Sequence, residues 1–239
     1  MKKNICVILG VFIVLAMAGC NSNSDERNSG NSEQANKEDE HFNKSQIVFV
    51  EDDSATWSRD LLATGMLVTD LNKDGVDDTI QIENTEIEGS QYISKFEVKL
   101  SNTESGFLIS ETYDASFEKM KMVDIDQDTN EELILLFDSH GTGGQGTHDL
   151  YVLWLKEDGV VARMIDTIDA ITVHIEPDWN VDSIYDIDKI EYNGDKKLLV
   201  RQYMWGGDEH SNWVGDLVSI VSFDSESGLF KAEEAWIEQ

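Results

Sequence analysis

The nine residues Asp70-Leu71-Asn72-Lys73-Asp74-Gly75-Val76-Asp77-Asp78 carry side-chain oxygens at relative positions one, three and five, glycine at six and a carboxylate at nine. A hard cation such as calcium takes about six to eight oxygen ligands, and alternate residues of a tightly wound loop can turn theirs to one centre. On that chemistry Asp70, Asn72 and Asp74 supply three ligands, the Val76 carbonyl a fourth and Asp78 the closing carboxylate. Gly75 permits the sharp turn, and Asp77 points away. A second stretch keeps Asp124, Asp126 and Asp128 at one, three and five, Asn130 at seven and Glu132 at nine. There Thr129 replaces the glycine, which makes the turn harder to form. A third stretch holds Asp186 and Asp188 and runs straight into Asn193-Gly194, so it is expected to have lost the metal. The competing reading is a solvated acidic turn, and it gains ground from the first stretch to the third. An ion here would be structural: it would neutralise clustered carboxylates and pin a hairpin.

The other unusual chemistry lies in two loops. His140 to Asp149 contains four glycines and two histidines, including His148. It is not a phosphate-binding loop, because no Gly-Lys-Ser/Thr ending is present and a strand follows where a helix is required. The segment Trp205 to Trp213 is partly similar and carries Asp208 and His210. His140, His148, Trp205, Asp208, His210 and Trp213 could line one recognition surface for a glycan, a peptide or a transition metal. The plainer reading is wide glycine turns with solvated histidines. No nucleophile–base arrangement is signalled, and the carboxylates are too numerous to single out an acid–base pair without geometry.

The elements that must position these residues read as strands. Ile80 and Ile82 alternate with Gln81 and Glu83, and Phe96, Val98 and Leu100 alternate with Glu97 and Lys99. Period two marks a half-buried strand. Leu133 to Phe137 is continuously apolar, as for a central strand covered on both faces, and Asn193-Gly194 is a hairpin signal. Trp57 to Leu62, after Ser54, is the one expected helix; Pro177 falls in a connector. The order strand, acidic loop, strand, loop, strand, glycine turn, strand recurs over about 66–112, 120–165 and 183–237, a spacing of about 55–65 residues that suits four-stranded blades. The expected fold is all-β: a propeller-like array of about three four-stranded antiparallel repeats, incomplete or distorted. Three blades are few for closure, which leaves room for a fourth in Gln46–Gly65 and the terminal segments.

The loop at Asp70 is not an EF-hand, since position twelve is Gln81 and the flanks alternate as strands. It resembles the D-x-D-x-D-G-x-x-D loops of FG-GAP/VCBS repeat proteins, the β-propeller repeats shared with integrin α-chain heads. The resemblance is specific at this loop and only repeat-like elsewhere. It implies a calcium-binding connection between two strands of a blade.

The chain has 18 basic and 48 acidic residues, a net charge of −30, which argues against nucleic-acid or anionic-lipid binding through a basic face. Lys2 and Lys3 precede an apolar run from Ile5 to Met17, shorter than the roughly 20 residues of a spanning helix, and Ala18-Gly19 follow. Leu15-Ala16-Met17-Ala18-Gly19-Cys20 resembles a lipobox, with Met17 in place of the more usual leucine. The resemblance implies cleavage after residue 19 and lipidation of Cys20 by the two or three acyl chains that stable anchoring needs. Cys6 would leave with the leader, so no disulfide framework remains. Residues 21–45 are polar apart from Phe42 and read as a disordered tether; the repetitive β domain occupies 46–239. The expectation is a non-catalytic, calcium-stabilised lipoprotein module on the outer face of a cell membrane, binding an extracellular protein or glycan. The alternative is an extracytoplasmic hydrolase of cell-wall or carbohydrate material with the 140–149 loop in its site.

Overall fold

The structure is a computed structural model that describes residues 42–88, 90–110, 112–139, 147–165, 168, 176, 178–206 and 212–239. Cys20, His140, Pro177, Asp208 and His210 lie outside the described residues. The fold is all-β and antiparallel. The first sheet is a meander of β2 (Met66–Thr69), β3 (Asp78–Ile87), β4 (Ser90–Lys99) and β5 (Gly106–Ile109). The second runs through β6 (Ala115–Val123), β7 (Glu132–Ser139), β8 (Thr147–Lys156) and β9 (Gly159–Ile165). The third contains β10 (Trp179–Tyr192), β11 (Asp195–Gly206), β12 (Asn212–Asp224) and β13 (Leu229–Glu238), with β1 (Val48–Phe49) added beside β10.

Strand β7 shows why the sheets stack. Leu133, Leu135 and Phe137 point into a core shared with the first sheet, where they meet Ile82, Phe96 and Val98. Ile134 and Leu136 point the other way, into a core shared with Ile184, Ile187, Leu198 and Val200 of the third sheet. These five β7 side chains all have 0 % exposure, so Leu133 to Phe137 must be apolar at consecutive positions, not at alternate ones. The far face of the third sheet is covered by Phe42 and Ile47, with Phe42 stacked on Trp236 at 4.7 Å. The packed unit therefore takes in a ring that composition alone assigns to the tether.

The expected helix forms as α1 (Ser54–Thr64) and buries Leu61 in the first core, a contribution of about 2 kcal/mol. Its Ser58 hydroxyl accepts from the Met120 N–H at 3.0 Å and so caps a free donor on edge strand β6. Gln46–Gly65 thus supplies a helix and a two-residue strand that joins the third sheet; a fourth blade is not built there. The two-residue turn at Asn193-Gly194 forms as expected, with φ of 53° and 87°, the double left-handed geometry that matches strand twist. The acidic loop expected before it does not form. Asp186 and Asp188 lie inside β10, where Arg201, the register partner of Asp186, holds Asp188 at 2.8 Å, and Lys119 pairs with Asp186. Fixed cations neutralise these acids, so the strand can run through without a turn.

Candidate metal centre

The β2–β3 and β6–β7 connections are built alike. In the first, the Asp70 carboxylate accepts from the Asp74 and Gly75 N–H groups at 3.0 and 2.8 Å. The Asn72 oxygen accepts from Asp74 N–H at 3.2 Å, and Asp74 accepts from Val76 N–H at 2.8 Å. In the second, Asp124 accepts from Asp128 and Thr129 at 3.1 and 3.0 Å, Asp126 from Asp128 at 3.3 Å, and Asp128 from Asn130 at 2.8 Å. Each bond reappears 54 residues later, with Asp124 in the place of Asp70 and Glu132 in the place of Asp78. Leu71 and Ile125, one after the first aspartate of each loop, are both 2 % exposed and anchor the loops into different cores.

The backbone repeats as well. Lys73 and Gln127 have φ of 61° and 62°, and Gly75 and Thr129 have φ of 89° and 80°. The glycine is therefore not required for the turn to form, but a β-branched residue at that φ costs about 1–2 kcal/mol. Thr129→Gly is expected to raise stability by about 1 kcal/mol in urea unfolding. Gly75→Ala is expected to lower it by a similar amount, although an added Cβ would meet no atom within 4 Å.

Carboxylate oxygens of Asp124, Asp126 and Asp128 lie within 4.8 Å of one another. Among the described residues, no lysine or arginine pairs with them or with Asp70 and Asp74; Lys73 turns to Glu131 instead, at 2.8 Å. An all-oxygen donor set with no fixed cation fits a hard ion. The two loops face a shared cleft of about 640 Å³, lined by Asn72 and Asp74 on one side and Asp128 and Asn130 on the other.

The carboxylates at position nine also close their loops through backbone donors. Asp78 is 1 % exposed, and its two oxygens accept from the Leu71 and Ser101 N–H groups at 3.0 and 2.9 Å. Glu132, 2 % exposed, accepts from Ile125 N–H at 2.9 Å. Burial pushes its carboxyl up to about 8, and the nearby charges of Asp126, Asp128 and Asp124 add to the effect. A carboxyl kept protonated by folding contributes stability that is complete below the unfolded value and lost as pH rises through the folded one. Metal-free protein is expected to lose on the order of 1–3 kcal/mol between about pH 5 and about pH 9, and Glu132→Gln to flatten that slope in thermal unfolding.

Several supporting groups escape sequence reasoning. Asn102 donates to Asp74 at 2.8 Å, and the Trp154 indole donates to Asp126 at 3.0 Å. A buried tryptophan N–H needs an acceptor, which was the available hint for Trp154; nothing local marks Asn102.

A second cluster lies at the other ends of these strands. His148 joins Glu118 and Asp138, two residues that no sequence motif singles out. Trp205 and Trp213, by contrast, are cross-strand partners on β11 and β12; Trp213 is half-exposed and donates its indole N–H to Asp216 at 3.0 Å. Tyr185 and Tyr203 stack at 3.9 Å beside them. Among the described residues no helix is long and apolar enough to cross a membrane. No family model, curated protein or solved structure matches the chain.

Proposed function

We propose that this protein is a non-catalytic, calcium-stabilised module for binding or assembly outside the cell, displayed from a membrane by a lipidated Cys20. Its three sheets are the blades of a propeller-like array, and an ion in each of the first two acidic loops holds a blade's leading hairpin. One observation carries the reading: two acidic loops repeat bond for bond, the second with carboxylate oxygens of three aspartates within 4.8 Å of one another, and among the described residues no lysine or arginine pairs with Asp70, Asp74, Asp124, Asp126 or Asp128, while the corresponding acids of the third sheet are paired with Arg201 and Lys119. Clustered like charges without a cation cost stability, and an ion bound in the loop would reverse that cost. The leader and the residues up to Cys20 support export and anchoring.

Calcium titration of chelator-treated protein tests the metal. Extracellular modules of this type bind at about 10⁻⁴ to 10⁻³ M, so the melting temperature is expected to rise through the millimolar range. At 100 times Kd the linkage amounts to about 2.7 kcal/mol for one site. The Asp70→Asn/Asp124→Asn double variant should lose the rise. A melting temperature indifferent to calcium up to about 10 mM rejects the metal. Metabolic incorporation of a fatty-acid analogue, abolished by Cys20→Ala, tests the anchor.

A further inference from the structure

The cluster on the second sheet has a different composition from the two loops. Asp138 and His148 are direct register partners on β7 and β8. Glu118 is the residue skipped in the pairing of β6 with β7, between Phe117 and Lys119. A bulge of this kind adds one unpaired residue to a strand and re-aims its side chain. The result is one residue from each of three adjacent strands, all on a rigid sheet and none on a loop.

The distances are the second observation. His148 Nε2 stands 3.7 Å from Glu118 Oε2 and 4.0 Å from Asp138 Oδ1. A charge-assisted hydrogen bond would draw such a pair to about 2.7–2.9 Å. Donors around a tetrahedral zinc ion, each about 2.0–2.2 Å from the metal, lie roughly 3.4 Å apart. The observed separations are too long for hydrogen bonds and leave room for an ion between the groups, which would draw them in by a few tenths of an ångström. The His148 side chain is only 12 % exposed, and its Nδ1 is buried without a hydrogen-bond partner among the described residues. The nitrogen that faces the two carboxylates, Nε2, makes no hydrogen bond to either, and an enclosed imidazole left so is costly as a purely structural group.

We infer that Glu118, Asp138 and His148 form a cation site distinct from the acidic loops, one that takes a divalent transition ion of the zinc type through His148 Nε2 and one oxygen from each carboxylate. An imidazole suits a borderline ion and is foreign to calcium sites, so the two kinds of site divide the metals between them. Three protein ligands leave a position of a tetrahedral ion free for water or for a donor from outside.

The test uses the full chain, stripped with chelator and held at fixed millimolar calcium, with zinc ion alone as the probe in competition against a chromogenic chelator. One equivalent of zinc is expected to bind. His148→Gln and Asp138→Asn should each weaken it at least about tenfold, whereas Asp70→Asn/Asp124→Asn should leave it unchanged. Because a substitution could disturb the sheet, wild-type protein labelled with ¹⁵N-histidine supplies an independent readout: one imidazole nitrogen should report ligation by zinc and none by calcium. Zinc that binds with undiminished affinity to folded His148→Gln overturns the assignment. So do histidine nitrogens that respond to protons and not to zinc.

Discussion

Asp78→Ala is expected to destabilise the protein by about 2–5 kcal/mol, and by the same amount with or without calcium. The Asp78 carboxylate is buried and accepts from two backbone N–H groups, Leu71 at the start of the loop and Ser101 beyond β4. Removing an acceptor leaves each buried donor unsatisfied at about 1–3 kcal/mol, more than the bond itself contributes net. Asp78→Asn keeps one acceptor but presents an amide N–H₂ to the second donor, so an intermediate loss is expected. Urea unfolding at saturating calcium and in chelator separates the alternatives. A loss seen only with calcium would make Asp78 chiefly an ion ligand, and a loss in both makes it the clasp that closes the loop.

The second large effect is expected at Lys189. Its side chain is 4 % exposed, yet its ammonium lies 2.7 Å from Glu131 and 3.3 Å from Asp52. Glu131 also receives Lys73, so the network ties the first acidic loop, the second and strand β10 together. Lys189→Met is expected to cost about 2–4 kcal/mol, because it takes the nearest cation from two partly buried carboxylates, each 18 % exposed; breaking a buried pair from one side commonly costs about 3–5 kcal/mol, and the partial exposure and the remaining Lys73 offset part. Adding Glu131→Gln to Lys189→Met should restore a measurable fraction, which a double-mutant cycle would read as coupling. Burial raises the Glu131 carboxyl, but Lys189 and Lys73 outweigh it and the net shift is downward. A depressed folded value contributes stability present above the unfolded value and lost as pH falls through the folded one. Acid unfolding of Lys189→Met should accordingly show a shallower loss below about pH 4.5 than wild type.

Much of the fold is legible along the chain because strand period, turn type and loop spacing are local. Ile80 and Ile82 face a core as their alternation implies, Leu133 to Phe137 is covered on both sides, and Asn193-Gly194 turns in two residues. The boundaries are less so: the second and third sheets begin at Ala115 and Trp179, ahead of the spans near 120 and 183 that the repeat implies. Thr129 is instructive, since a missing glycine argues against a turn that tertiary anchoring at Ile125 and Glu132 imposes anyway.

The candidate sites divide along the same line. Asp70, Asn72 and Asp74, like Asp124, Asp126 and Asp128, accept backbone hydrogen bonds that reach no more than five residues, so residues within one loop set that pattern. Glu118, Asp138 and His148 meet only because β6 is bulged and β8 pairs β7 in one register, while Lys189 is buried by a neighbouring sheet. Asp186 and Asp188 resemble ligands in sequence but face Lys119 and Arg201 in space. A side chain's distance along the chain sets what its own loop can do; which charge stands opposite it depends on strand register and sheet stacking, and those are decided by the whole core.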